Sequence, residues 1–155
     1  MPDRKRKFQE NSEAVQAHLA IAQSVIQRMT NNSSGCKAWC ITLVSAILVV
    51  VAQEGKPSFA LLAILPTFLF AILDTYYLAL EKRFRNAYNA FIDKLHGGKI
   101  VASDLYAVEP AGSKGKAFVK AITSPSVWPF YLVLLVLIVI AMVFVINSPG
   151  STPQR

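Results

Sequence analysis

Few residues in this sequence have the type and setting that could do chemistry. Asp74 directly follows an uncharged apolar run, and Lys37 lies just before the preceding one. A carboxylate in a membrane span is a candidate functional residue, and a long lysine side chain could reach it from the neighbouring helix. Two interpretations are open: an ion pair at the level of the lipid headgroups, or a polar residue of a pore or coupling path.

No group of residues has the spacing of a catalytic or metal site. His18 and His96 are far apart, and Cys36 and Cys40 lack the second pair of ligands that a zinc site requires. A disulfide between cysteines four residues apart on a helix would be strained, which favours two reduced thiols. The sequence also lacks a phosphate-binding glycine loop in a strand–loop–helix setting. We therefore expect a protein that is not an enzyme and holds no cofactor or metal.

Composition and hydropathy indicate the fold class. Of 155 residues, 54% are hydrophobic and 16% charged, and the mean hydropathy is +0.41. The apolar residues concentrate in three uncharged runs, 38–53, 58–73 and 127–147. A bilayer is crossed by about 17–25 such residues in a helix. The sequence predicts an all-α integral membrane protein with three transmembrane helices and cytoplasmic amphipathic helices, and too little chain remains for a soluble catalytic domain of about 100 residues.

These runs divide the chain into five expected parts. They are a basic tail and amphipathic helix over 1–35, a transmembrane hairpin over 36–80 with spans 37–53 and 58–78, a helical extension and loop over 81–123, a third span over 124–147, and an external tail over 148–155. The polar stretch 31–35 is expected to end the first helix, and 97–120 to form a loop.

The basic residues predict how the chain crosses the membrane. Fourteen of the 16 lysines and arginines lie before the first span or between the second and third. The positive-inside rule then places the N-terminus and the middle segment in the cytoplasm, and the C-terminus outside. The cluster Arg4, Lys5, Arg6 and Lys7 is expected to contact anionic lipid headgroups. The positive charge is explained by topology, so nucleic-acid binding is not expected.

Two sets of residues on the second helix predict helix contacts. Small residues recur at every fourth position and would allow a second helix to approach closely: Ala63, Thr67, Ala71, Thr75 and Ala79. This row could pack within the hairpin or between copies of the chain. Further along, Phe84, Tyr88 and Phe91 are expected to continue a contact between copies in the cytoplasm. The amphipathic helix over 12–29 is expected to pack on the extension over 81–95, because each of the two has one apolar stripe.

The segments beginning Cys36-Lys-Ala-Trp-Cys and Leu73-Asp-Thr-Tyr-Tyr resemble a group of small bacterial membrane proteins. Over 12–95 the layout is similar to SLATT-type transmembrane effectors of antiviral defence systems. The resemblance implies residence in the bacterial inner membrane and a homo-oligomer that permeabilises the bilayer when a sensor or a nucleotide signal activates it. A cytoplasmic partner protein or sensor is therefore expected.

Three functions remain open from the sequence. The first is an oligomeric pore-forming or membrane-disrupting effector, which the resemblance favours. The second is a membrane scaffold or anchor whose cytoplasmic helices recruit a partner protein. The third is a small transporter or channel, which is least favoured because Asp74 alone could serve a polar path in one copy.

Overall fold

The structure, a computed structural model, describes residues 10–147, and every regular element in that range is helical. The elements are α1 (Glu13–Glu54), a 3-10 segment (Pro57–Ala63), α2 (Ile64–His96), a 3-10 turn (Ala102–Asp104), α3 (Lys114–Ile122) and α4 (Trp128–Ile146). Three stretches are long and apolar enough to cross a membrane: Glu13–Glu54, Pro57–His96 and Trp128–Ile146. The predictions of an all-α chain and of three candidate spans are confirmed.

The first helix is longer than the sequence predicted. The expected end at 31–35 is wrong, because α1 continues through it for 42 residues, about 63 Å at 1.5 Å per residue. Asparagine, serine and glycine cost at most about 1 kcal/mol each in a helix, whereas a proline would break it. Ser33 in this stretch and Cys36 directly after it are buried against the rest of the chain, and that packing outweighs the weak local preference.

A tight turn joins the first two spans. Gly55 adopts a left-handed conformation (φ 63°), and its N–H donates a hydrogen bond to the carbonyl oxygen of Val51 at 3.1 Å. This C-cap geometry favours glycine. The second stretch begins at Pro57 as a tight 3-10 turn, so its first part is not the α-helix that the sequence predicted. It then runs on as α2 until Gly97, as the sequence predicted.

The segment 97–120, predicted as a loop, contains most of a further helix. Ser113 precedes α3 in an extended conformation, and the helix buries Ala121 completely. Phe118 also packs against the buried cluster that the three long helices share. The tertiary contact of this apolar face stabilises a helix of nine residues, which is too short to be stable on its own.

The helices form two regions. We call residues 38–78 and 128–146 the apolar bundle, and residues 13–36 and 79–122 the polar lobe. In the apolar bundle, α4 packs against α1, α2 and the 3-10 segment. In the polar lobe, the N-terminal half of α1 packs against the C-terminal half of α2, around Val15, Phe91 and Leu95.

The outer surface of the apolar bundle is hydrophobic on all three helices. Exposed large side chains include Leu43, Val50, Leu65, Phe68, Leu69, Leu132, Val136, Val139 and Phe144. Water-soluble monomers rarely leave apolar patches larger than a few hundred Å² exposed. An apolar outer surface of this kind is compatible with helices that lie in a membrane.

Candidate functional site

The junction of the two regions holds a buried group of charged and polar side chains. We call Asp74, Ser33 and Lys37 the Asp74 cluster. Ser33 and Lys37 lie one helical turn apart on α1 and face Asp74 on α2. The hydroxyl of Ser33 donates a hydrogen bond to Asp74 Oδ1, and the ammonium nitrogen of Lys37 lies 2.6 Å from Asp74 Oδ2. Lys37 Nζ is also 3.5 Å from the hydroxyl oxygen of Ser33.

The two partners of this ion pair differ in how deeply they are buried. The Asp74 side chain is fully buried, and the Lys37 side chain is 20% exposed. Among the described residues, Oδ2 accepts no hydrogen bond of regular geometry, so its partner is the lysine charge. One end of the pair is therefore enclosed by helices, while the lysine retains access to the surface.

The structure brings together the two residues that the sequence singled out, and it adds one that the sequence analysis missed. Ser33 fell within the stretch 31–35 that was expected to end the first helix. In a continuous helix, Ser33 is one turn before Lys37 and shares its face. The spacing of four residues was the signal that could have found it.

Three exposed aromatic side chains lie on the same helices, close to the cluster in sequence or, for Trp128, in a hollow shared with Thr75. Trp39 is 65% exposed, Trp128 52% and Tyr76 50%. Tryptophan and tyrosine concentrate at the water–membrane interface of spanning helices. On α4, the hydroxyl of Tyr131 donates a hydrogen bond to the carbonyl oxygen of Phe70 at 3.0 Å and ties this helix to α2 near the cluster.

The row of small residues on the second helix faces the inside of the chain. Ala63, Thr67, Thr75 and Ala79 are buried, and Ala71 is partly buried. The two threonine hydroxyls donate hydrogen bonds to the carbonyl oxygens of Ala63 and Ala71, each at 2.7 Å. The row therefore serves helix packing within one chain, and it leaves little surface for a second copy.

The two cysteines lie on the face of α1 that is turned towards the other helices. Cys36 and Cys40 are both buried and are not joined by a disulfide. Among residues 10–147, no three histidine, cysteine or acidic side chains come together in a way that could hold a metal ion. The thiols are part of the packing between helices.

The three residues of the second helix that were predicted to make helix contacts, Phe84, Tyr88 and Phe91, have different neighbours. The Phe91 ring stacks on His18 of α1, with ring centroids 4.0 Å apart. The hydroxyl of Tyr88 accepts a hydrogen bond from Gln23 Nε2 of α1 at 3.4 Å. Phe84 is partly buried. The polar lobe is thus held by contacts between α1 and α2 at Tyr88 and Phe91.

His18 also anchors the loop that follows the second helix. Its Nδ1 accepts a hydrogen bond from the backbone N–H of Tyr106 at 3.0 Å. Burial lowers the pKa of His18 below 6.5, and the nearby Asp104 carboxylate partly opposes that shift. Asp104 itself accepts a hydrogen bond from Lys94 at 2.9 Å, which lowers the pKa of the carboxyl group.

The predicted lipid contacts Arg4, Lys5, Arg6 and Lys7 lie outside the described residues. No protein-family model matches this chain, and the comparisons with curated proteins and with solved structures find no match. The chain's own geometry is therefore the basis for inferring its function.

Proposed function

We propose that the protein is a non-enzymatic protein of the bacterial inner membrane that assembles from several copies and permeabilises the bilayer. In this proposal the polar lobe is cytoplasmic and the C-terminus is outside, following the distribution of basic residues. The three apolar helices and the hydrophobic outer surface of the bundle support residence in a membrane.

The observation that carries the proposal is the Asp74 cluster. Replacing a buried ion pair by apolar side chains of similar volume is often neutral or even stabilising. An anchor needs no fully buried carboxylate between its spans, because apolar side chains can hold helices together equally well. Ionisable residues between spans commonly mark pathways or switches. We assign the cluster the role of a latch that holds α1 against α2 in a closed state.

A water path requires more than one copy of the chain. Three spans are too few to enclose a path, and the outward faces of the bundle are apolar. Because the small-residue row is enclosed within one chain, contact between copies is assigned to those outward faces. In the proposed open state, separation of α1 from α2 turns Lys37 and Asp74 towards water.

The experiment compares cells that express the wild-type chain with cells that express Lys37→Met/Asp74→Leu. This double variant removes the charges in a pair and leaves no charge unpartnered. With equal amounts in the membrane, a potential-sensitive dye should report depolarisation for the wild type and a normal potential for the variant. Equal depolarisation by both, or none by the wild type, would contradict the proposal, as would a purified wild-type protein that is monomeric in mild detergent.

A role in antiviral defence is supported by the resemblance of 12–95 to SLATT-type effectors. Its test is phage plating on cells that carry the gene with its genomic neighbours. Fewer plaques with the wild type than with the double variant are expected, and equal plaque numbers would contradict a defence role.

A second candidate function is a membrane scaffold whose polar lobe recruits a partner protein. A cleft of about 710 Å³ between α1 and α2 favours it, lined by Gln23, Ser24, Gln27, Arg85 and Tyr88 among others. Substituting the exposed Ser24 by tryptophan would fill this cleft. Loss of a crosslinked partner protein, with the membrane potential normal for both proteins, would favour the scaffold over the permeabilising function.

A further inference from the structure

A second cleft in the polar lobe, of about 410 Å³, is lined by α2, α3 and the segment before α3. Its lining includes five basic side chains and no acidic one: Lys82, Arg83, Arg85, Lys116 and Lys120. Arg85 is paired with Glu81, with Nε and Oε1 2.8 Å apart. The other four cations have no carboxylate partner among residues 10–147. Positive charge is therefore concentrated here, and within the described residues Glu81 offsets only part of it.

Arg83 is the strongest sign that something outside the chain supplies the counter-charge. The residue is only 9% exposed. One guanidinium nitrogen donates a hydrogen bond to the carbonyl oxygen of Pro110 at 2.8 Å, whereas Nε has no hydrogen-bond partner in the described part of the chain. A buried charge is costly unless it is paired and hydrogen-bonded. The site is therefore incomplete as it stands.

The N-terminus of α3 lies on the same cleft. Gly112, with φ 85°, and Ser113 lead into the helix, and no side chain caps its first turn. The free amides of a first turn, together with the helix dipole, favour an anion. Lys116 in that turn makes no ion pair or hydrogen bond with a described residue, so its ammonium group is available.

Lys82 shows the electrostatic effect of this crowding. Its ammonium group donates a hydrogen bond to the carbonyl oxygen of Lys120 at 3.1 Å. Burial and the positive charge of Lys120 lower the pKa of Lys82, and the Glu81 carboxylate partly opposes that shift. A bound anion would relieve the repulsion between these lysines.

We propose that this cleft binds a phosphate group, held by Arg83, Lys116 and the backbone amides at the start of α3. A guanidinium fork and an uncapped helix N-terminus both suit phosphate oxygens. The other face of α3 explains how a phosphate could reach the cleft. Phe118 and Ile122 line an apolar hollow together with Phe68 and Trp128 of the apolar bundle. The cleft therefore lies near the end of that bundle, open to a lipid headgroup or to a soluble phosphate compound.

The experiment uses the full chain in phosphatidylcholine nanodiscs and two probes. Equilibrium dialysis measures binding of pyrophosphate, and native mass spectrometry counts phosphatidylglycerol retained from nanodiscs that contain it. Lys116→Gln is the main variant because Lys116 is exposed, and Lys99→Gln, also exposed but outside the cleft, is the matched control. Loss of one charge-assisted hydrogen bond should weaken binding about tenfold for Lys116→Gln and leave the control unchanged.

Retention of phosphatidylglycerol that depends on Lys116 would identify a lipid headgroup as the source of the phosphate. Binding of pyrophosphate in phosphatidylcholine alone, with the same dependence, would identify a soluble compound. The proposal is overturned if the wild type holds neither probe, or if the two lysine variants behave alike. Arg83→Gln should weaken binding further, and if that variant does not fold, Lys116→Gln still decides.

Discussion

Asp74 and Arg83 are two buried charged residues on α2, nine residues and about 14 Å apart along the helix. They differ in whether the chain supplies a counter-charge. Asp74 forms an ion pair with Lys37 and accepts a hydrogen bond from Ser33, both on α1, so its charge is balanced within the chain. Arg83 receives one carbonyl oxygen and no carboxylate among the described residues. The first arrangement holds helices together, whereas the second leaves positive charge for a ligand. Burial alone therefore does not tell what a charged side chain does.

The largest expected change in the free energy of unfolding comes from removing the counter-ion of Asp74. Lys37→Met would leave Asp74 fully buried without its counter-ion, which should lower the free energy of unfolding by about 3–5 kcal/mol. Denaturant titration in mild detergent, followed by circular dichroism, measures the change. The double variant Lys37→Met/Asp74→Leu should recover most of the loss. A single variant as stable as the wild type would show that the ion pair contributes no stability.

Removing the hydrogen bond from Ser33 should have a smaller effect. Ser33→Ala takes a hydroxyl donor from a buried carboxylate, and hydrogen bonds to charged groups contribute about 1.5–3 kcal/mol. The adjacent Ser34 is exposed, so Ser34→Ala should stay within about 0.5 kcal/mol of the wild type in the same titration. Equal losses in the two variants would show that Ser33 does not support Asp74.

A third buried titratable group, His18, should make stability depend on pH. Because folding lowers its pKa below 6.5, the unfolded chain takes up a proton more readily. The contribution of His18 is therefore present above pH 6.5 and declines as the pH falls below it. Unfolding titrations between pH 7 and about pH 5 should show this decline in the wild type and in His96→Gln. In His18→Gln the decline should be much weaker, and an unchanged decline would contradict the assignment.

The smallest expected effect on stability comes from removing one of the basic side chains that have no carboxylate partner. Lys116 has no partner in the described chain, so Lys116→Gln should leave the free energy of unfolding within about 0.5 kcal/mol of the wild type, or raise it slightly by relieving repulsion. The same unfolding titration measures it in phosphatidylcholine nanodiscs. A loss comparable to that of Ser33→Ala would mean that the cleft belongs to the fold and not to a ligand.

The apolar runs were sufficient to predict the fold class and the three candidate spans, because their length and lack of charge reflect the demands of a bilayer. The end of α2 at Gly97 was also predictable. The continuity of α1 and the presence of α3 were not, because tertiary packing of Ser33 and Phe118 decides them and local preferences point the other way.

The candidate sites were predictable to different degrees. Lys37 and Asp74 could be predicted as site residues because each is a charged residue directly beside an apolar run. Arg83 did not, since it lies among other basic residues, and nothing in the sequence distinguishes a buried arginine from an exposed one. The inward direction of the small-residue row also required the structure, because spacing identifies a flat helix face without saying which helix it meets.

Ion flux into vesicles that contain only the purified chain tests the central claim most directly. The wild type, Lys37→Met and Lys37→Met/Asp74→Leu would be reconstituted at equal density. We expect slow flux through the wild type and faster flux through Lys37→Met, because the unpaired Asp74 charge favours separation of α1 from α2. The double variant should show the flux of empty vesicles, because its two apolar side chains hold α1 against α2 with no charge left to hydrate. Flux that is the same for all three proteins, or absent from all of them, would contradict a permeabilising function gated by the Asp74 cluster.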